Sequence, residues 1–301
     1  MVAPAVTRPL PFLERVGAYV ALTKPRIIEL LLVTTVPTMV VAEAGLPPVW
    51  LIVATVIGGT LAAGGANAIN MYVDRDIDAV MDRTRGRPLV TGAVTPRAAL
   101  TFAVAIEVLA FVWLWVLVNP ISAVLATSAC LFYVFVYTLW LKRTSTQNIV
   151  IGGAAGAVPV LIGWSSVTGT VELPAVVLFG VIFFWTPPHF WALAIRYRED
   201  YARAEVPMLP SVADHRTTTT KVLAYTLVVW ALTLVFGWTA GLGLLYWASA
   251  VVLGALFTAL AVAVRRDEAV ATAMRLFTFS ITYVTLLFGA MAADVLLRNG
   301  W

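Results

Sequence analysis

Apolar runs long enough to cross a bilayer recur along this chain, separated by short polar breaks. Nine stand out: Ile27 to Val41, Val49 to Val73, Ala98 to Val118, Ile121 to Leu141, Ile149 to Val167, Leu173 to Ile195, Val222 to Ala240, Leu242 to Val264 and Ala273 to Leu297. A spanning helix needs about 20 apolar residues. The pattern therefore predicts an all-α, polytopic membrane protein with nine transmembrane helices in a single domain. The first run is short and carries Glu29. Gly152, Gly153, Gly156 and Pro159 interrupt the fifth, and such residues are tolerated in membrane helices.

The polar breaks are unequal. Asn119-Pro120 and Gly241 are minimal connections, whereas Asp74 to Arg97 and Arg196 to Lys221 are long and hold most of the Asp and Arg. Lys and Arg collect in cytoplasmic loops of membrane proteins. With the N-terminus cytoplasmic, nineteen of the 20 basic residues fall on that side and Arg298 falls outside. Residues 1–26 then form a short cytoplasmic segment and 27–301 a single transmembrane domain. The two long loops follow the second and sixth spans, which hints at an internal duplication facing a shared space.

Composition agrees. The chain is 61% hydrophobic and 12% charged, with a mean hydropathy of +0.91, which excludes an ordinary soluble domain. The net charge of +4 is scattered among loops, so it reports orientation and an anionic ligand rather than nucleic-acid binding. Cys130 is alone and within an apolar run, which excludes a disulfide framework and points to packing. The first 26 residues hold no apolar stretch with a cleavage site, and the expected location is a bacterial cytoplasmic (inner) membrane.

Chemistry concentrates where the second run ends. Residues four apart on a helix lie about 40° apart around its axis, so Asn70, Asp74 and Asp78 share one stripe. Asp76 and Asp82 bring four carboxylates into nine positions, and unpaired like charges so close repel. Magnesium prefers oxygen ligands and bridges carboxylates to phosphates, so the stripe points to Mg2+ and a diphosphate at a membrane surface. Asp76 projects away from the stripe, toward a nearby arginine, while Asp82 continues the spacing as a supporting group. Arg83 and Arg87, also four apart, carry forked donors that match phosphate oxygens.

The run Asn70, Asp74, Asp78, Arg83-Thr84, Arg87-Pro88-Leu89 and Gly92 resembles the signature of the UbiA-type intramembrane aromatic prenyltransferases. Four further stretches resemble the protohaem-farnesylating, haem O-forming branch of that superfamily. They are Leu22-Thr23-Lys24-Pro25-Arg26; Lys142-Arg143-Thr144 with Gln147-Asn148-Ile149-Val150-Ile151-Gly152-Gly153; Pro187-Pro188-His189-Phe190-Trp191; and Pro207-Met208-Leu209-Pro210. The likeness runs from Leu22 to the last helix. It implies a bundle around a central cavity whose cytoplasmic mouth holds Mg2+ and farnesyl diphosphate on two aspartate-rich segments. It also implies farnesyl transfer to a vinyl group of protohaem with addition of water.

In residue terms, the resemblance implies metal ligands Asp74, Asp78 and Asp200, and catalytic groups Asn70, Asp74, Asp78, Arg83, Arg87 and Lys142. Substrate contacts would come from Asn67, His189, Arg196 and Asp200. The second segment departs from the D-x-x-x-D of many relatives: it reads Arg196-Tyr197-Arg198-Glu199-Asp200, with Arg196 in place of an Asp. Arg196 then contacts diphosphate, contacts a haem propionate, or is an interfacial cation. Asn67 is helix glue or cavity wall; Lys142 is a snorkelling lysine that the resemblance extends to the diphosphate. His189 is the one histidine within a predicted span, and Pro187-Pro188 before it should open the helix. Its roles stay open between core histidine, axial contact to haem iron, propionate hydrogen bond and proton handling. His215, in a polar loop, has no expected role. Trp140, Trp164, Trp185 and Trp191 read as interface anchors and bundle packing.

Two rival functions fit part of this pattern. A sister enzyme acting on an aromatic acid or quinone precursor would share the aspartates but not need His189 or the 147–153 segment. A haem or lipid transporter or chaperone would carry charges deep in several spans, and only Glu29 and Glu107 lie there. Beyond lipid and the two substrates, the resemblance allows haem A synthase or haem-copper oxidase subunits as partners.

Overall fold

Backbone amides have no water to bond in a bilayer core, so a chain of apolar runs satisfies them within helices. The computed structural model, which describes residues 11–300 except for the side chains of 26–32, accordingly contains helices and no strands among the described residues. Glu29 lies outside the described side chains.

Chain order is α1 (Phe12–Thr23), α2 (Pro25–Glu43), α3 (Val49–Val73), α4 (Arg75–Val80), α5 (Pro96–Leu117) and α6 (Pro120–Leu131). A π-helix (Phe132–Leu141) and α7 (Lys142–Thr144) continue α6. Then come α8 (Asn148–Thr168), α9 (Leu173–Arg196), α10 (Arg198–Arg203), α11 (Leu209–Val212), α12 (His215–Thr239), α13 (Leu244–Arg266) and α14 (Val270–Asn299). Among the described residues, eight of these segments are long and apolar enough to cross a membrane, the segment Pro120–Thr144 counting as one. They match the second to ninth sequence runs. The first run corresponds to α2, whose 19 residues reach about 28 Å at 1.5 Å per residue.

Helix starts follow the local sequence. Proline stands at the first helical position of α2, α5 and α6, where its missing amide hydrogen costs nothing. Thr95, Asn119 and Asp214 cap α5, α6 and α12 by accepting from Ala98 N, Ser122 N and Thr217 N. Capping by Asp214 starts α12 at His215, so the second long loop is shorter than the sequence predicts and the Thr217–Thr220 run is helical. His215 is not in a loop: its Nε2 lies 2.9 Å from Val264 O and ties the start of α12 to the end of α13.

The main core joins α8, α9, α12, α13 and α14 through residues such as Trp164, Trp185, Trp191, Phe236, Tyr246, Phe257 and Tyr283. Two of the three glycines that interrupt the fifth run serve close packing, whereas a Cβ on Gly156 would meet open space. A Cβ on Gly152 would come within 2.3 Å of the Tyr137 ring, and one on Gly153 within 3.0 Å of Thr186. Pro187-Pro188 does not open its helix; α9 is continuous through both, packed by α8, α12 and α14. Cys130 is buried in a small cluster with Ala66 and Val134, as expected of a packing residue.

A smaller cluster seats α1 on α3 and α5 through Leu22, Ala68, Met71, Leu89 and Ala99, with Tyr19 edge-on to Phe102. The N-terminal segment thus contains a helix. Its Phe12 and Leu13 are 77% and 79% exposed. At the other end of the bundle from the long loops, buried Asp294 of α14 caps α13. It accepts from Gly243 N at 2.6 Å and Tyr246 N at 3.4 Å and pairs with Arg298 at 3.4 Å.

Candidate active site

The candidate site grows from the last turn of α3. Asn70 there is 3% exposed and uses both ends of its amide. Oδ1 accepts from Lys24 Nζ at 2.7 Å, while Nδ2 donates to Asp74 Oδ2 at 2.7 Å and Thr138 Oγ1 at 3.1 Å. Asp74 caps the C-terminus of α3 with ψ of 6°, and the chain resumes as α4. The stripe is therefore divided between two helices, although Asp78 N still donates to Asp74 O at 2.8 Å.

Asp74 and Asp78 are 0% and 1% exposed, and each is paired with a cation. Asp74 Oδ2 accepts from Lys142 Nζ at the end of the fourth long helical segment. Asp78 Oδ2 accepts from Arg87 Nη1 at 2.6 Å. The remaining Asp74 oxygen, Oδ1, is buried and accepts no hydrogen bond; Arg143 Nη2 lies 3.9 Å away. Arg143 forks onto both oxygens of Asp76 at 2.8 Å and holds that carboxyl down to about 2, so Asp76 is the arginine-paired residue that the sequence predicts.

Sequence reasoning missed Lys24 as a site residue. It sits between α1 and α2 with a left-handed backbone, φ 54°, which is uncommon outside glycine. Asn67 Nδ2 donates to the neighbouring Thr23 O at 3.2 Å and so supports this turn. Burial, and then the charges of Arg87 and Lys142, push the Lys24 ammonium down to about 7. Its signal was in the sequence, as the Lys24 of the Leu22–Arg26 stretch, but nothing local places it beside Asn70, 46 positions later. The π-helix was missed as well. Such segments recur at functional sites, and this one turns Thr138 toward Asn70 and ends where Lys142 meets Asp74.

The second loop reaches the first through arginine. Arg203 of α10 pairs with Asp82 at 2.8 Å and also with Asp200, which is 7% exposed. Asp82 is held below the usual carboxylate range chiefly by that hydrogen bond. Arg83 lies over the Tyr197 ring at 5.7 Å, with Arg196 over the same ring at 5.6 Å. Burial raises the Tyr201 hydroxyl while the positive charge of Arg83 opposes the rise. Among the described residues no three acidic, histidine or cysteine side chains are gathered as for a metal ion. Asp74 and Asp78 are turned to Lys142 and Arg87, and Asp200 to Arg203.

His189 lies about two turns before the C-terminal end of α9. Its ring is 7% exposed and stacks between Trp185 at 4.3 Å and Phe277 at 4.6 Å, with Nδ1 2.7 Å from Ser280 Oγ. Two cavities of about 390 and 110 Å3 open beside the second loop, along Arg198, Pro210 and Ala213. The expected central cavity is not one of these two.

A buried carboxylate pair faced by three cations at the end of a helical membrane bundle suits a phosphorylated ligand, and comparison with known proteins decides the family. The model of the UbiA prenyltransferase family matches residues 31–288. The chain belongs to that family. Two UbiA-family relatives named protoheme IX farnesyltransferase are both 56% identical. The one from Parafrankia sp. (strain EAN1pec) aligns over 288 residues, 94% of this chain and 92% of that protein. The one from Frankia alni aligns over 283 residues, 92% of this chain and 97% of that protein. The UbiA fold is also shared with a structure described for digeranylgeranylglyceryl phosphate synthase. That likeness has a TM-score of 0.78 at 16% identity, over 94% of this chain and 99% of the other. A UbiA homolog from Archaeoglobus fulgidus, solved bound to DMAPP and Mg2+, has a TM-score of 0.64 at 15% identity, over 90% of this chain and 99% of the other.

Proposed function

We propose that the protein transfers a farnesyl group from farnesyl diphosphate to a vinyl group of protohaem, with addition of water, to give haem O and diphosphate. The observation that carries this reading is the buried set Asn70, Asp74 and Asp78 with Lys24, Arg87 and Lys142 hydrogen-bonded onto it. Identity of 56% to proteins named protoheme IX farnesyltransferase supplies the acceptor.

Asp74 and Asp78, with Asp200 from the second loop, would hold Mg2+. The buried Asp74 Oδ1 without a hydrogen bond fits this, since hard cations take lone carboxylate oxygens. The Archaeoglobus fulgidus homolog bound to DMAPP and Mg2+ supports the same reading. Bound there, Mg2+ would neutralise phosphate oxygens. Lys24, Arg87 and Lys142 stabilise the charge that grows on diphosphate as the bond from C1 of the farnesyl chain to oxygen breaks and its electron pair leaves with oxygen. Arg83, held over the Tyr197 ring, adds a forked donor from the same loop.

The terminal vinyl carbon then supplies the electron pair for the new carbon–carbon bond. Positive charge moves to the carbon attached to the porphyrin, water adds there and loses a proton. Apolar helix faces keep water from the allylic cation before that step. Arg196, exposed and stacked on Tyr197, is a donor for a haem propionate. The basic end of the bundle faces the cytoplasm of a bacterial inner membrane by the distribution of Lys and Arg. Haem O is too apolar to leave through water, which favours hand-off within the membrane to a haem A synthase or oxidase subunit.

Purified protein in detergent, incubated with protohaem, farnesyl diphosphate and Mg2+, should yield haem whose mass has risen by farnesyl plus water. Asp74→Asn should cut the yield at least about 100-fold, the scale of losing one preorganised charge-stabilising group. Unmodified haem from folded wild type, with the prenyl group transferred to an aromatic acid and diphosphate released, would replace this reading with the sister reaction.

A further inference from the structure

Ser280 of α14 holds two successive turns of the α9 face that carries His189. Its carbonyl oxygen accepts from Trp185 Nε1 at 2.9 Å, and its Oγ lies 2.7 Å from His189 Nδ1. A serine hydroxyl has one hydrogen to give. Ser280 donates it to Phe277 O, at 2.6 Å one turn back. Between Oγ and Nδ1 the only hydrogen left is the imidazole's, so Nδ1 carries the proton and Nε2 keeps a bare lone pair. Trp185 and Phe277 clamp both ring faces, with interplanar angles of 18° and 26°, and Phe190 meets the ring edge at 87°. The ring's orientation is fixed, and the bond from Ser280 Oγ to Phe277 O favours the Nδ1–H tautomer.

We propose that Ser280 is a positioning residue that locks His189 as the Nδ1–H tautomer and so presents Nε2 as a ligand to the iron of bound protohaem. This rests on the proposed acceptor being haem. A proton-accepting role fits the surroundings less well. An imidazolium here would lie between aromatic rings in an apolar bundle, and the hydrogen bonds of the described residues give it a neutral hydroxyl and no carboxylate. Ligation uses the neutral ring and asks for no buried charge. Histidines that ligate metals characteristically donate their other ring N–H to an oxygen that fixes the tautomer, and Ser280 Oγ is that oxygen. In this geometry the histidine grips the substrate by its iron while the vinyl group reacts.

The test is a titration of the detergent-solubilised full chain with ferric protohaem, read by Soret absorption and electron paramagnetic resonance. Wild type should show saturable binding with a histidine-ligated signature. His189→Ala should lose that signature. Ser280→Ala should weaken haem affinity about tenfold or more, the usual scale for removing such a partner, and shift the spectrum toward the unligated form. Ser280→Thr, which keeps a hydroxyl, should restore it. Farnesyl diphosphate binding, unchanged in all three, serves as the folding control. A wild-type signature in His189→Ala, or in Ser280→Ala, would overturn the proposal. Wild type that neither binds haem saturably nor farnesylates it would instead overturn the haem reading beneath it.

Discussion

Asn70 engages Lys24, Asp74 and Thr138 at once, so one amide fixes a cation, a carboxylate and the π-helix. Asn70→Ala leaves three buried polar partners short, and each such loss costs roughly 1–3 kcal/mol. Lys24 gives this scale a pH signature. Burial and neighbouring cations hold it near 7, so in the free protein the ammonium is lost as pH rises through that value. Diphosphate binding needs the charged form and therefore weakens above about pH 7. Calorimetric titration with a non-reactive farnesyl diphosphate analogue should show that slope in wild type. In Lys24→Met the slope should vanish, with affinity at pH 6 reduced about tenfold, the worth of one charge-assisted bond. Equal slopes in both proteins would remove Lys24 from the site. Asn67 donates to the carbonyl oxygen of Thr23, 44 positions earlier, a contact that nothing near it in the sequence announces.

At the scale of elements, close approach governs what the helices tolerate. Gly152 lets α8 lie against the π-helix that carries Thr138 and leads to Lys142. Gly152→Ala places a methyl 2.3 Å from the Tyr137 ring, and such overpacking costs about 1–3 kcal/mol. Thermal unfolding in detergent should show the loss, and the added Tyr137→Leu change should recover part of it; no recovery would point to a different clash. Asp294 offers a contrast far from the chemistry. Asp294→Ala removes the acceptor of Gly243 N and Tyr246 N and leaves Arg298 unpaired. Stability should fall by roughly 1–3 kcal/mol, measured as a lower midpoint, with turnover at low temperature unchanged.

Across the whole molecule, arginine joins what the chain separates. Arg143 reaches back to Asp76 across 67 positions, and Arg203 to Asp82 across 121. Both long loops therefore meet at one end of the bundle, the end that sequence charge assigns to the cytoplasm. Native Cys130 is buried, so new cysteines report topology cleanly. Ala202→Cys at the loop end and Thr170→Cys at the opposite end, both at exposed positions, should react with a membrane-impermeant maleimide from opposite sides. In intact cells only Thr170→Cys should be modified; labelling of Ala202→Cys there would invert the topology.

The sequence by itself determined the helical membrane architecture, the placement of eight spans and the identity of the carboxylate and arginine clusters. Each of these follows from local quantities: run length, periodicity, and which residues tolerate a membrane end. Tertiary structure decided which charges meet. Lys24 joins Asn70 because α1 packs on α3, Asp200 is tied to Asp82 because Arg203 spans two loops, and His189 has a hydroxyl partner because α14 brings Ser280 beside it. It also decided that α9 runs through Pro187-Pro188, since three packed neighbours outweigh a local breaker. Pairings of this kind depend on distances between helices far apart in the chain, and hydropathy carries no information about them.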